Sequence, residues 1–172
     1  MGRLENLLGA WSLTVADRIT EAGRQEGLTA SAQAALLTLL AHPDRPVSWL
    51  GEVLALTGSG ATRLVDRVVA AGWVVRSPGA DSRQRRIRLT PEGEDVARRL
   101  AQVRDAVLAE SLASLDDRAR RQLERTLERM VGSSTHEPVP ALRTCRLCDR
   151  SACRSDGHAC PLDHVQVEEP LP

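Results

Sequence analysis

Along the first part of the chain, Leu4, Leu8, Trp11, Val15, Ile19 and Ala22 recur at steps of three and four. That spacing is one face of an amphipathic helix, predicted over 4–26 and ended by Gly27. Leu36, Leu39 and Leu40 supply the core side of a second helix over 30–42, capped by Thr29 or Ser31. A break at Pro43-Asp-Arg-Pro46 follows. Ser48 caps a short third helix with Leu50, Val53 and Leu54 inward. Thr57 caps a fourth running to about Ala71, with Ala61, Leu64, Val65, Val68 and Val69 on one face and Gly72 as the stop. Two short helices separated by a few residues form a helix-turn-helix pattern.

The period then changes from 3.6 to 2. Trp73–Arg76 and Arg85–Thr90 read as strands, joined by the turn-forming Ser-Pro-Gly-Ala-Asp-Ser-Arg-Gln, which makes a hairpin with an arginine-loaded tip. Thr90-Pro91 opens a long helix with Thr90 as N-cap and Pro91 at its first position. Val96, Leu100, Val103, Val107 and Leu108 mark its stripe. Asp116 caps a last helix, with Leu123, Leu127 and Met130 on one side and interleaved Arg and Glu on the other. Trp11 and Trp49 are expected in the core and Trp73 beneath the hairpin, while His42 and His136 fall in loops as surface residues. Residues 132–142 read as linker, 143–164 as a Cys/His-rich segment without apolar period, and 165–172 as a disordered tail.

Composition sharpens this picture in two places. The net charge is zero and all 23 basic residues are arginine, so the overall charge carries no message. Its distribution does: Arg63, Arg67, Arg76, Arg83, Arg85, Arg86 and Arg88 stand against two acids, Asp66 and Asp81. A local excess of this size is the footprint of a nucleic-acid contact. Phe and Tyr are absent, so apolar volume comes from aliphatic side chains, which favours packed helices. The sequence has no membrane-length apolar run and no secretory leader pattern, and the expected location is the cytoplasm. It offers no nucleophile–base pairing, phosphate-cradling loop or paired carboxylates, so an enzyme is not expected.

The order of elements, together with Ala61-Thr-Arg-Leu-Val-Asp-Arg67, Asp81-Ser-Arg83 and Leu89-Thr-Pro-Glu-Gly93, resembles the MarR (multiple antibiotic resistance regulator) family over about residues 4–131. The resemblance implies a mostly α fold with a small β-hairpin wing: a winged helix-turn-helix with long terminal dimerisation helices. It divides the chain into a dimerisation helix (1–28), a DNA-binding lobe (29–92) and C-terminal dimerisation helices (93–131). It further implies a homodimer on double-stranded DNA, with the fourth helix in the major groove and the wing in the adjacent minor groove. A pocket for a small-molecule effector would lie between platform and lobe.

In that setting Ser59, Thr62, Arg63 and Arg67 are the expected DNA contacts of the recognition helix. Arg63 is suited to a bidentate guanine contact and Arg67 to a phosphate. Arg83, Arg85 and Arg86 are the wing's contacts, with Asp81 holding Arg83 in place. Asp66 is expected to pair with a neighbouring helix or wing arginine. The function implied is a transcription regulator, a repressor relieved by a ligand, metal or redox signal. The alternatives are a winged-helix protein-interaction module and a thiol or metal sensor without sequence-specific DNA binding.

All four cysteines lie between 145 and 160. The spacing Cys145-x2-Cys148-x4-Cys153-x6-Cys160 opens with the knuckle usual in zinc sites, so these four are the candidate ligands, with His158 or His164 able to replace one. Zinc is the expected ion and an iron–sulfur cluster the alternative. Arg143, Arg146, Arg150 and Arg154 would favour thiolates, and redox-sensing thiols are the competing reading.

Overall fold

The computed structural model describes residues 2–78, 85–149 and 151–165. Its elements run α1 (Arg3–Gln25), α2 (Ala30–Ala41), β1 (Arg45–Pro46), α3 (Val47–Val53), α4 (Gly58–Ala70), β2 (Val74–Pro78), β3 (Arg85–Leu89), α5 (Pro91–Ser111), α6 (Asp117–Gly132) and α7 (Pro138–Thr144), followed by a 3-10 turn at Ala152–Gly157. The fold is mostly helical with one small antiparallel sheet, as the period analysis predicts. Three local signals act where the sequence puts them. The hydroxyls of Thr57 and Thr90 accept from the amides of Gly60 and Gly93, and the Asp116 carboxylate accepts from Ala119 N–H. Each satisfies a first-turn amide that would otherwise lack a partner.

The core sits beneath the helix-turn-helix. Leu36, Leu39, Leu50, Val53, Val65, Val68, Val74 and Ile87 are its fully buried side chains, and Val96, Ala97 and Leu100 of α5 close it from the other side. The sheet is wider than a hairpin. Arg45–Pro46, read as a plain break, adds a third strand in the order β1-β3-β2, with Arg45 opposite Ile87. A two-residue edge strand ended by proline is a common way to terminate a sheet without leaving a long open edge. It forms here because α2 and α3 hold the connecting chain against β3.

The joint between sheet and α5 is tight. Thr90 N–H donates to the Trp73 carbonyl (3.0 Å) and the Thr90 hydroxyl to the Gly72 carbonyl (2.7 Å). A Cβ built on Gly93 would lie 1.9 Å from that Trp73 oxygen. Glycine therefore serves close approach here, and the wing's base is locked to α5. Inside the helix-turn-helix, a Cβ on Gly51 would meet the Ala61 methyl at 3.0 Å. These two small residues let α3 cross α4 closely.

Several expectations are corrected. Trp11 is 47% exposed rather than in the core, because α1 has apolar side chains on more than the face it gives to this chain. His42 is buried, its ring edge-on to Trp49 at 5.4 Å, and the Arg45 guanidinium lies 5.3 Å from the centre of the Trp49 ring. His136 likewise meets the His164 ring at 5.4 Å. His136 is exposed as expected, and its ring partner, 28 positions on, is one that local reading does not reveal. The segment 132–142 is not all linker. Pro138 sits in the first turn of α7, where proline's fixed φ suits a helix start, and Ala141 and Leu142 are buried. The Cys-rich segment also has a small core of its own, Ala141, Leu162 and Val165 backed by Val131, Cys145 and Cys160.

Candidate nucleic-acid interface and cysteine knuckle

Helix α4 presents two chemically distinct faces. Ala61, Leu64, Val65 and Val68 are buried. Ser59, Thr62, Arg63, Asp66 and Arg67 all face solvent. A helix in the major groove needs this division, since the core face fixes its attitude while short polar and guanidinium groups meet bases and phosphates. The two small residues at the N-terminal end have local bonds. The Thr62 hydroxyl donates to the Gly58 carbonyl (3.0 Å) and Ser59 shares a hydrogen bond with Thr57 (3.3 Å). Arg63 and Arg67 have no ion-pair partner among the described residues, so both charges are open to an external anion.

The sheet arginines are differently placed. Arg76 on β2 pairs with Asp66 of α4 at 2.6 Å, the helix-to-wing pair expected for Asp66. Arg86, expected at the DNA, donates to the Asp44 carbonyl (2.8 Å) and approaches its carboxylate at 3.4 Å. Asp44 has a positive φ of 57°, a turn conformation that costs a non-glycine residue, and Arg86 holds that turn against β3. Arg85 and Arg88 are exposed. Arg83 and Asp81 lie outside the described residues.

The Cys-rich segment folds back onto α2 and α3. Arg143 donates to the Glu52 carbonyl of α3 (3.0 Å), and the buried Thr38 hydroxyl of α2 donates to the Arg146 carbonyl (3.2 Å). Leu147 packs against the main core. Arg146 and Leu147 also border a cavity of about 430 Å³ between α1 and α2, whose other walls include Trp11, Val15, Ile19 and Gln33. Its lining is largely apolar, and it lies where α1 meets α2.

Around the knuckle, Cys148 N–H donates to the Cys145 carbonyl (2.9 Å) and closes the turn. The Cys145 thiol donates to Cys148, and the guanidiniums of Arg104 and Arg146 lie nearby. Together, against the effect of burial, they bring the Cys148 thiol down to about 6. Cys145 is pushed up because it holds the shared proton, is half-buried and faces the other sulfurs. Burial and the charges of Cys148 and Cys160 push Cys153 up. Among the local arginines, Arg146 favours the thiolate at Cys148 as expected, and Arg104 of α5, remote in sequence, shares in it. Arg150 lies outside the described residues. Asp149 is held below its usual range by the Ser151 hydroxyl and amide. Of the alternate ligands, His158 stands 3.8 Å from Glu128 and His164 bonds the Pro161 carbonyl. Among the described residues, no group of three or more His, Cys, Asp or Glu side chains is arranged to hold a metal ion as it stands.

Comparison with known proteins agrees with this geometry. The MarR family model matches residues 26–85. None of the curated proteins searched matches the chain. Among solved structures, a MarR family protein from Bacillus stearothermophilus is 31% identical, with a TM-score of 0.67, over 74% of this chain and 89% of that one. The apo form of MarR from E. coli is 23% identical, with a TM-score of 0.68, over 76% of this chain and 97% of that one. YusO from Bacillus subtilis is 21% identical, with a TM-score of 0.66, over 76% and 94%. With an identity above 30% across most of a relative, a matching family model and the same winged architecture, the chain belongs to the MarR family of transcription regulators.

Proposed function

We propose that this protein binds duplex DNA as a homodimer and represses transcription until a ligand, metal or redox signal lowers its affinity. The observation that carries the reading is α4, a helix pinned by four buried residues with Ser59, Thr62, Arg63 and Arg67 outward. The dimer is supported by apolar surface that one chain leaves uncovered. Leu4, Leu7, Leu8 and Trp11 of α1 and Leu127 and Met130 of α6 are 43–75% exposed, and α6 buries no residue at all within the chain. Uncovered apolar surface of this kind marks an interface. Two copies joined through these helices would present two recognition helices to half-sites about one DNA turn apart. Relief then follows if a signal favours a dimer whose helices no longer match that spacing.

Selection from a random duplex library is expected to return a two-fold symmetric site. Light scattering is expected to give twice the chain mass for the wild type and the single mass for a Leu8→Glu/Met130→Glu variant. Recovery of no sequence preference, with duplex binding insensitive to salt, would favour a protein-interaction role instead.

A further inference from the structure

The cysteine knuckle is not used by the DNA-binding reading, yet it is strapped to the lobe that carries it. We propose that Cys145, Cys148, Cys153 and Cys160 form a four-thiolate site for one zinc ion, and that the loaded knuckle braces α2 against α3 beneath the recognition helix. The regulatory half of this proposal rests on the DNA-binding reading above, whereas the metal half does not.

Four observations support the site. Cys145 and Cys160, fifteen positions apart in the sequence, pack against the same apolar patch of Ala141, Leu162 and Val165. Cys145 and Cys148 are in thiol–thiol contact across a closed C-x2-C turn. Cys153 lies in the 3-10 turn Ala152–Gly157, between the C-x2-C turn and Cys160. No three of these side chains surround a common point as they stand, so an ion has to draw the sulfurs together, the exposed Cys153 among them. The surroundings also suit the charge. Ligation releases the remaining thiol protons to solvent and leaves four thiolates on Zn2+, a site of net charge −2, next to the guanidiniums of Arg104 and Arg146. Soft sulfur donors in tetrahedral number select zinc over oxygen-seeking cations. The tiny apolar cluster also needs such a brace, because a segment this short buries too little to be stable by itself.

The coupling follows from where the knuckle is fastened. Residues 143–147 hold α3 through Arg143 and Glu52, α2 through Arg146 and Thr38, and the main core through Leu147. Ordering the knuckle orders these fastenings. Its loss frees α3, which crosses α4 at the Gly51–Ala61 contact.

The full chain, purified without a metal-binding tag, is expected to carry one zinc per chain by elemental analysis. Stripped of metal, it should take up one Co2+ with thiolate-to-cobalt charge-transfer absorption. Serine at any of the four cysteines should abolish stoichiometric uptake. Loading the stripped protein with Zn2+ should slow amide exchange across residues 47–70 at least tenfold and change affinity for its selected duplex at least tenfold. A Thr38→Val/Arg143→Ala variant should still hold one zinc per chain yet lose both responses to it. Absence of metal uptake, or iron with acid-labile sulfide in place of zinc, overturns the site. One bound zinc with unchanged exchange across 47–70 overturns the brace. Zinc uptake with slowed exchange but no duplex binding in either state supports the site and brace and sinks the DNA-binding reading instead.

Discussion

Arginines of α4 and arginines of the adjoining sheet come from one short stretch of sequence, and the structure gives them different surroundings. Arg63 and Arg67 stand on the outer face of α4 with no ion pair to a carboxylate among the described residues. Arg76 and Arg86 are committed, one to Asp66 and the other to the strained turn at Asp44. A count of positive charge along the chain treats all four alike. The difference is made by acids whose positions are fixed only when the fold closes. Charges left open are available to an external partner, while charges met by an acid tie the sheet to α4 and to the turn before β1.

This contrast can be strained in order of effect. The strongest blow is to the joint that fixes the sheet. Gly93→Ala drives a methyl into the Trp73 carbonyl, and we expect a loss of about 3 kcal/mol in chemical denaturation, with DNA binding failing through misfolding. Next comes Arg63→Ala, expected to weaken binding to the selected duplex by about 1–3 kcal/mol and to relax preference at one base position, with an unchanged melting temperature. Arg67→Ala should instead weaken all sequences alike and lower the slope of log affinity against log salt by about 1. Arg86→Ala should show the reverse profile: a stability loss of about 1 kcal/mol from the unmet Asp44 carbonyl, and a change in duplex affinity below about threefold. The smallest effect belongs to Asp66→Asn. It removes a largely exposed ion pair worth under about 1 kcal/mol and leaves Arg76 free, so duplex affinity should hold steady or rise slightly. A large loss of binding in Arg86→Ala without loss of stability would erase the distinction between the two sets.

The parts of this protein that could be read from the sequence are those encoded locally. The caps at Thr57, Thr90 and Asp116 work because a hydroxyl or carboxylate three residues ahead of an amide needs no distant partner. The buried face of α4 is legible for the same reason, since a period of 3.6 over thirteen residues leaves one arrangement. Long-range pairings were not legible. The Arg86–Asp44 contact joins residues that become neighbours only after β1 meets β3. Helix α7 was hidden by its two prolines, which read as a linker although the first suits the opening turn of a helix. Exposed Trp11 looked like core because a helix that meets a second copy carries the same apolar period as one that meets its own chain. The cysteines were visible as a group, but not their fastening to α2 and α3, which runs through backbone carbonyls that no residue type signals.

The central claim is that the outer face of α4 grips duplex DNA through open guanidinium charge. It is tested most directly by equilibrium affinity of the wild type and Arg63→Ala/Arg67→Ala for the selected duplex and for a random duplex, across a range of salt. The account predicts a steep linear fall of log affinity with log salt for the wild type, a clear preference for the selected duplex, and both a shallower slope and a lost preference in the double variant. Identical slopes and identical preference in the two proteins would contradict it.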